Sequence, residues 1–79
     1  MKPAIGLIVH FTSNRATASG SELVAWPAII TEVHEEDGTV SLQVFGETAV
    51  VPRVYVGFTD APAGTEAAIG KWSWPVREG

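Results

Sequence analysis

Apolar and polar residues alternate along much of this chain, in short runs that glycine and proline separate. Alternation with a period of two is typical of β-strands, because successive side chains of a strand point to opposite faces of the sheet. No stretch between these glycines and prolines places apolar residues at helical spacing over three turns. The pattern therefore predicts an all-β protein of about five short strands, with at most one helical turn.

Two strands are predicted in the first half of the chain. The first covers residues 5–11. One of its faces carries Ile5, Leu7, Val9 and Phe11, and the other carries Gly6, Ile8 and His10. The polar residues 12–21 that come next predict an exposed loop. Residues 26–34 are rich in β-branched side chains and form the second predicted strand. Pro27 cannot donate a hydrogen bond to a neighbouring strand, so we expect it at the start of this strand or at an edge.

A hairpin is the clearest local prediction. Asp37 and Gly38 lie between two β-rich runs, and glycine accepts the positive φ that a tight turn requires. The returning strand covers residues 39–45, with one face formed by Val40, Leu42 and Val44.

The second half of the chain is interrupted more often. After a turn at residues 46–47, Pro52 is expected to divide the valine-rich segment into one short strand that ends at residues 50–51 and another over residues 53–58. Residues 59–70 predict a long loop, with or without one helical turn around residues 65–69. These elements favour a small SH3-like or Tudor-like barrel, because closing a sheet removes its exposed edges. The alternative is a strongly bent, open antiparallel sheet that completes itself by oligomerising.

The length of the chain, 79 residues, predicts a single domain over residues 1–79. A domain this short buries only about 60–65% of its unfolded surface, so small scaffolds often add disulfides, a metal or a partner subunit. The chain has no cysteine, and its two histidines, His10 and His34, lack the spacing of a metal site. We therefore expect no metal and no cofactor, and a homo-oligomer as the additional support.

The charge balance argues against nucleic acid as a partner. Nine acidic residues outnumber five basic ones, which gives a net charge of −4, whereas nucleic-acid binders usually carry a basic face. The apolar run near the N-terminus, residues 4–9, is too short for a secretory signal and far too short for a membrane span. These features predict a cytoplasmic protein without a membrane partner.

Motifs that identify enzymes are missing from the sequence. It contains no glycine-rich phosphate loop, no dinucleotide fingerprint, no nucleophile elbow and no cysteine nucleophile. The acids Glu35, Glu36 and Asp37 crowd one turn, where solvation explains them better than a catalytic cleft does. We expect a protein that is not an enzyme and has no catalytic residues.

The candidate ligand-binding residues are aromatic and basic. Trp72 and Trp74 would point the same way in an extended segment and stack on a planar group, or they would anchor a core. Arg53 lies in a valine-rich strand and offers two parallel hydrogen bonds to a phosphate or carboxylate. The remaining candidates are Lys71, Arg77, Trp26 and His10, the last either as a donor to a ligand or as a structural histidine that contacts a neighbouring strand.

Three segments carry a resemblance to a known family: residues 5–11, the segment Pro27-Ala28-Ile29-Ile30-Thr31-Glu32-Val33, and Lys71-Trp72-Ser73-Trp74-Pro75. Together they resemble short, largely uncharacterised proteins of tailed bacteriophages and prophages, with the pattern Gly-x-Ile-Val-His-aromatic at the start and Trp-x-Trp-Pro near the end. Here Leu7 stands where those proteins often have a basic residue. The resemblance implies a phage accessory protein and brings no particular activity. Trp26-Pro27-Ala28-Ile29 is also similar to the strand that opens PWWP and Tudor barrels.

Three functions remain open at this point. The first is a non-catalytic phage accessory protein, an oligomer that sequesters a small anionic, nucleotide-like molecule of host immune signalling in the host cytoplasm. The second is a minor structural protein of the virion, either a capsid decoration or a tail accessory protein. The third is a protein-interaction inhibitor of a host enzyme, whose acidic hairpin turn imitates the charge of nucleic acid.

Overall fold

The strands of the protein form one antiparallel sheet. A computed structural model describes residues 2–75. Its strands are β1 (Ile8–Thr17), β2 (Gly20–His34), β3 (Thr39–Phe45), β4 (Val50–Val56) and β5 (Trp72–Ser73), and a 3₁₀ helix covers Glu66–Ala68. The strand order in the sheet is β4-β3-β2-β1-β5. The all-β prediction is confirmed, and of the two predicted arrangements the structure has the bent antiparallel sheet.

The two edges of the sheet approach each other without forming a closed barrel. Phe58, just beyond β4, makes an isolated parallel bridge to Trp72 of β5. The backbone N–H of Trp72 donates to the carbonyl of Gly57 at 2.9 Å, and the N–H of Thr59 donates to the carbonyl of Trp72 at 3.0 Å. One bridge of this kind holds the edges together but does not make a strand ladder.

Two β-bulges bend the sheet at the same place. Thr31 is an extra residue in β2, because the register moves from Ile30↔Leu42 to Glu32↔Ser41. A second extra residue lies in β4, where the register with β3 shifts between Val40 and Leu42. A bulge increases the local twist and bends its strand. Both irregularities flank Ser41, so the sheet curves there and brings β4 and β5 toward each other.

The core lies on the concave face of this bent sheet. The alternation predicted for β3 is confirmed, since Val40, Leu42 and Val44 are all buried. The neighbouring strands add side chains from the same face, and the complete core is Val9, Phe11, Ala28, Ile30, Val40, Leu42, Val44, Val56 and Trp72. Burying one such aliphatic side chain stabilises the fold by about 1.5–3 kcal/mol.

The loop after β4 covers part of the opposite face through Thr12. This side chain is fully buried, and its Oγ1 accepts a hydrogen bond from the backbone N–H of Gly64 at 3.0 Å. The carbonyl of Thr12 accepts from the N–H of Gly70 at 2.9 Å, and the N–H of Thr12 donates to the carbonyl of Lys71 at 3.3 Å. One threonine thus holds this loop on both sides of the 3₁₀ helix.

Four local predictions were wrong in their positions. Pro27 lies inside β2, the central strand of the sheet, and not at a strand start or an edge. Residues 12–21 lie in a regular two-strand ribbon, paired from Thr12↔Ala25 to Thr17↔Gly20, because the backbone groups of polar residues pair between strands as those of apolar residues do. Pro52 lies inside β4, which is an edge strand and therefore tolerates a missing donor. Ile5 lies in a turn before β1 and is 71% exposed.

Two other predictions were confirmed. Residues 35–38 form the turn between β2 and β3, with Gly38 at a φ of 77°. Of the two alternatives for residues 59–70, the structure has the loop with one helical turn, a 3₁₀ helix over Glu66–Ala68. No helix within residues 2–75 is long and apolar enough to cross a membrane.

Candidate functional site

Arg53 and Trp26, two of the predicted ligand-binding residues, lie beside one cleft. Arg53 pairs with Leu42 across β3 and β4, so its side chain extends from the same face of the sheet as the core. Its guanidinium carbon lies 6.0 Å from the centroid of the Phe11 ring. Trp26 pairs with Phe11 across β1 and β2 and is half-buried. The pairing register therefore brings a cation and two aromatic rings to one end of the core.

The cleft is small and has a mixed apolar and polar lining. It has a volume of about 170 Å³ and is lined by Phe11, Ser13, Asn14, Trp26, Val44, Gly46, Val51 and Arg53. Ser13 and Asn14 are the polar residues of this lining besides Arg53. Pockets for drug-sized ligands have volumes of about 300–1,000 Å³, so one chain offers room for a planar ring or a phosphate and not for both.

The charge of Arg53 is not neutralised by a carboxylate among the described residues. The ion pairs within residues 2–75 join Arg15 to Glu22, Arg15 to Glu47 at 4.0 Å, and His34 to Glu32 at 3.4 Å. Arg53 is exposed to solvent and lies over the Phe11 ring instead. A guanidinium held by an aromatic ring keeps its N–H groups available for an anion, and its planar shape matches a phosphate or a carboxylate.

Trp72 and Trp74 are placed elsewhere, and the structure corrects the expectation that they form a stacking wall. Trp72 is 2% exposed, so the protein itself covers both faces of its ring. The Trp74 ring is half-buried and meets Trp72 edge to face, with centroids 5.0 Å apart and planes at 87°. A planar ligand cannot insert between two rings in direct perpendicular contact. Trp72 is therefore a core residue. The sequence analysis gave this role as the alternative to stacking on a ligand.

The other candidate residues lie outside the lining of this cleft. His10 is half-buried in β1, where it pairs with Ser73 of β5. His10 Nδ1 and Ser73 Oγ are both buried and have no hydrogen-bond partner among the described residues. Lys71 is exposed and precedes β5. Arg77 lies outside the described residues.

Several lining residues were not predicted from the sequence. Phe11 was placed on the core face, which is correct, but its contact with Arg53 depends on the pairing of four strands. Ser13 and Asn14 were placed in a loop, although they belong to β1. The sequence carries no period-two signal that would have found them, because residues 12–17 contain a single apolar side chain, Ala16.

Metal ligands are not grouped in the part of the chain that the structure describes. Within residues 2–75, no three side chains of histidine, cysteine, aspartate or glutamate lie close enough together to hold a metal ion.

Comparisons with known proteins identify no relative of this chain. No family model matches the chain, and neither the curated proteins nor the solved structures contain a significant match to it.

Proposed function

We propose that this chain is a non-catalytic binding protein that captures a small anionic, nucleotide-like molecule through Arg53 and Trp26. The observation that carries the proposal is the exposed guanidinium of Arg53, which has no carboxylate partner among the described residues and lies beside Trp26 and Phe11. Arg53 pairs with the anionic group, and Trp26 contacts the planar base. The ligand in this proposal is a signalling nucleotide of host immunity, sequestered in the host cytoplasm; the resemblance to phage proteins supports only an accessory role.

A second copy of the chain completes the site in this proposal. The volume of about 170 Å³ is too small for a whole nucleotide, and Arg53 lies on an edge strand of the sheet, where a neighbouring subunit can add a wall. The outer side of the same edge is apolar and exposed: Val50 is 51% exposed, Val54 65% and Tyr55 66%. Exposed apolar residues that cluster in this way mark protein interfaces.

The subunits associate through side chains and not by joining their sheets. Pro52 removes one backbone donor from β4, and the bulge before Val56 distorts the strand. Both features prevent edge-to-edge pairing of strands. The proposed oligomer therefore has an interface of valine and tyrosine side chains.

A thermal-shift titration with AMP, ADP-ribose, a cyclic dinucleotide and inorganic phosphate tests the proposal. A ligand at a hundredfold excess over its Kd stabilises the folded state by about 2.7 kcal/mol, which raises the Tm of a domain this small by roughly 10–20 °C. We expect such a rise with at least one nucleotide, and we expect Arg53→Gln to abolish it. Lys71→Gln is the matched control, because Lys71 is an exposed cation outside the cleft lining, and it should keep the response.

Two results would contradict the proposal. One is the absence of a shift with every compound in the panel. The other is an equal shift in the wild-type protein and in a folded Arg53→Gln variant, which would place the anion site elsewhere. Circular dichroism of the variant establishes that it is folded.

A further inference from the structure

A second groove lies apart from the Arg53 cleft and shares no lining residue with it. Its volume is about 430 Å³, and its lining consists of Pro3, Gly38, Phe58, Asp60, Trp72 and Trp74. Three of these six residues are aromatic and one is acidic. We call this depression the aromatic groove.

The three rings of the aromatic groove are inclined to one another. The Phe58 and Trp72 centroids are 4.9 Å apart, with an angle of 58° between the planes, and Trp74 meets Trp72 at 87°. Trp72 is buried and forms the base, whereas Phe58 is 43% exposed and Trp74 is half-buried. The accessible rings of Phe58 and Trp74 are inclined around Trp72. This arrangement suits a compact, rounded ligand group better than a flat one.

Backbone hydrogen bonds fix this arrangement. The N–H of Trp72 donates to Gly57, and the N–H of Thr59 donates to Trp72, so Phe58 is held between two bonded residues. Trp72 and Trp74 lie two residues apart around β5 and extend to the same side. The rings are therefore preorganised, and binding a ligand costs little side-chain entropy.

The charge of the aromatic groove is negative. Asp60 follows Phe58 by two residues, is exposed, and is the charged residue among the described lining residues. Within residues 2–75, no basic side chain lies within 4.0 Å of its carboxylate. Aromatic faces carry partial negative charge and attract cations, and a carboxylate at the rim adds to this attraction. An anion would be repelled here.

We infer that the aromatic groove binds an alkylated ammonium group, such as a trimethylammonium head. The apolar lining of Pro3 and the accessible rings of Phe58 and Trp74 favours a large, weakly hydrated cation over a bare ammonium ion, which holds its water strongly. This site is independent of the anion site at Arg53. The same chemistry is offered by a methylated lysine side chain and by a choline headgroup.

An NMR titration with choline and its neutral isostere 3,3-dimethyl-1-butanol tests the inference. The two compounds have the same shape and differ in charge, so their affinities separate cation binding from simple hydrophobic binding. Cation–π attraction predicts that choline binds about 2- to 30-fold more tightly. The shifted resonances should be those of Phe58, Asp60 and Trp74.

Substitutions in the aromatic groove have matched controls. Phe58→Leu should weaken choline binding about threefold or more, whereas Phe45→Leu, at a phenylalanine that is 39% exposed outside the groove lining, should not change it. Asp60→Asn should also weaken binding, and Glu36→Gln, at an exposed acid in the β2–β3 turn, should not. Titrations with N-trimethyllysine peptide and with phosphocholine then identify the source of the ammonium group.

Three outcomes would overturn the inference. Equal affinity for choline and for the neutral isostere would show an apolar pocket without cation selectivity. Resonance shifts that do not include Phe58 and Trp74 would place binding elsewhere. No shift with choline at tens of millimolar would show that the groove does not bind this class of cation. None of these results bears on the Arg53 site, which its own titration tests.

Discussion

The imidazole of His34 stacks on the phenol ring of Tyr55, with ring centroids 4.5 Å apart and planes inclined by 23°. Tyr55 has a φ of 53° and is the one non-glycine residue with positive φ among the described residues. It lies in the β4 bulge opposite Ser41, whose Oγ shares a 3.0 Å hydrogen bond with His34 Nε2. The stacked pair therefore holds β4 in a backbone conformation that an L-amino acid disfavours.

Two substitutions at Tyr55 separate the stacking from the strain. Tyr55→Ala removes the stack and keeps the strained φ, whereas Tyr55→Gly removes both. Because positive φ costs an L-residue about 1–2 kcal/mol, we expect Tyr55→Gly to be more stable than Tyr55→Ala by about 1 kcal/mol. Urea denaturation of the two variants measures this difference. A glycine variant that is the less stable of the two would show that the bulge carries no strain.

Thr12 is predicted to hold the loop after β4 through its hydroxyl. Thr12→Val has nearly the same shape but leaves the N–H of Gly64 without its partner, which should cost about 1–3 kcal/mol. Amide hydrogen exchange at Gly64 should be faster in Thr12→Val and nearly unchanged in Thr12→Ser, which keeps a hydroxyl. Equal exchange in all three proteins would mean that the loop is held by other contacts.

Among the core residues, truncation of Trp72 is predicted to lower the free energy of unfolding the most. Tryptophan-to-alanine changes in a core cost about 3–5 kcal/mol. A domain of 79 residues has a total stability of roughly 4–12 kcal/mol, so Trp72→Ala should be largely unfolded or have a strongly lowered Tm. Trp26→Ala, at a half-buried ring, should remain folded. Thermal unfolding followed by circular dichroism compares them, and a Trp72→Ala variant as stable as Trp26→Ala would contradict this assignment.

Asp37 makes stability depend on pH. The backbone N–H of Thr39 donates to Asp37 Oδ1 at 3.0 Å and the Thr39 hydroxyl donates at 2.7 Å, and these bonds lower the pKa of Asp37 below its ordinary value of 3.8. A carboxyl group with a lowered pKa stabilises the folded state above the ordinary value and loses this contribution as the pH falls through the lowered pKa.

Asp37→Asn tests this dependence, because asparagine keeps an acceptor oxygen and does not titrate. The wild-type protein should have the higher Tm at neutral pH, and the difference should shrink below about pH 3.8. Thr39→Val removes one of the two donors and should reduce the same pH dependence. A Tm difference that stays constant from neutral to strongly acidic pH would contradict the assigned cause.

Local signals predicted the parts of the fold that depend on neighbours in sequence. The turn at residues 35–38, the strand Thr39–Phe45 and its buried valines are explained by glycine conformation and a period of two. The continuity of β4 through Pro52 was not predictable in this way. It depends on β4 lying at the edge of the sheet, which is a property of the whole strand order.

The sequence identified candidate residues for a site but not which of them lie together. The sequence identified Arg53, Trp26, Trp72 and Trp74, but grouped the arginine with the wrong pair of rings. Arg53 of β4 meets Phe11 of β1 although β3 and β2 lie between them in the sheet, because the sheet bends and brings these side chains together over its core face. Trp72 and Trp74 meet Phe58 and Asp60 because the bends at Ser41 bring the two edges together. These contacts arise from long-range register, which residue spacing does not encode.

Native mass spectrometry of the protein purified from a bacterial culture, beside its Arg53→Gln variant, tests the central claim most directly. It reports the number of subunits and any retained small molecule in one spectrum. We predict a defined oligomer of the wild-type protein that carries the extra mass of a nucleotide at each site, and an Arg53→Gln oligomer without that mass. A bare wild-type monomer, or a ligand that the variant retains equally, would contradict capture of an anion by Arg53.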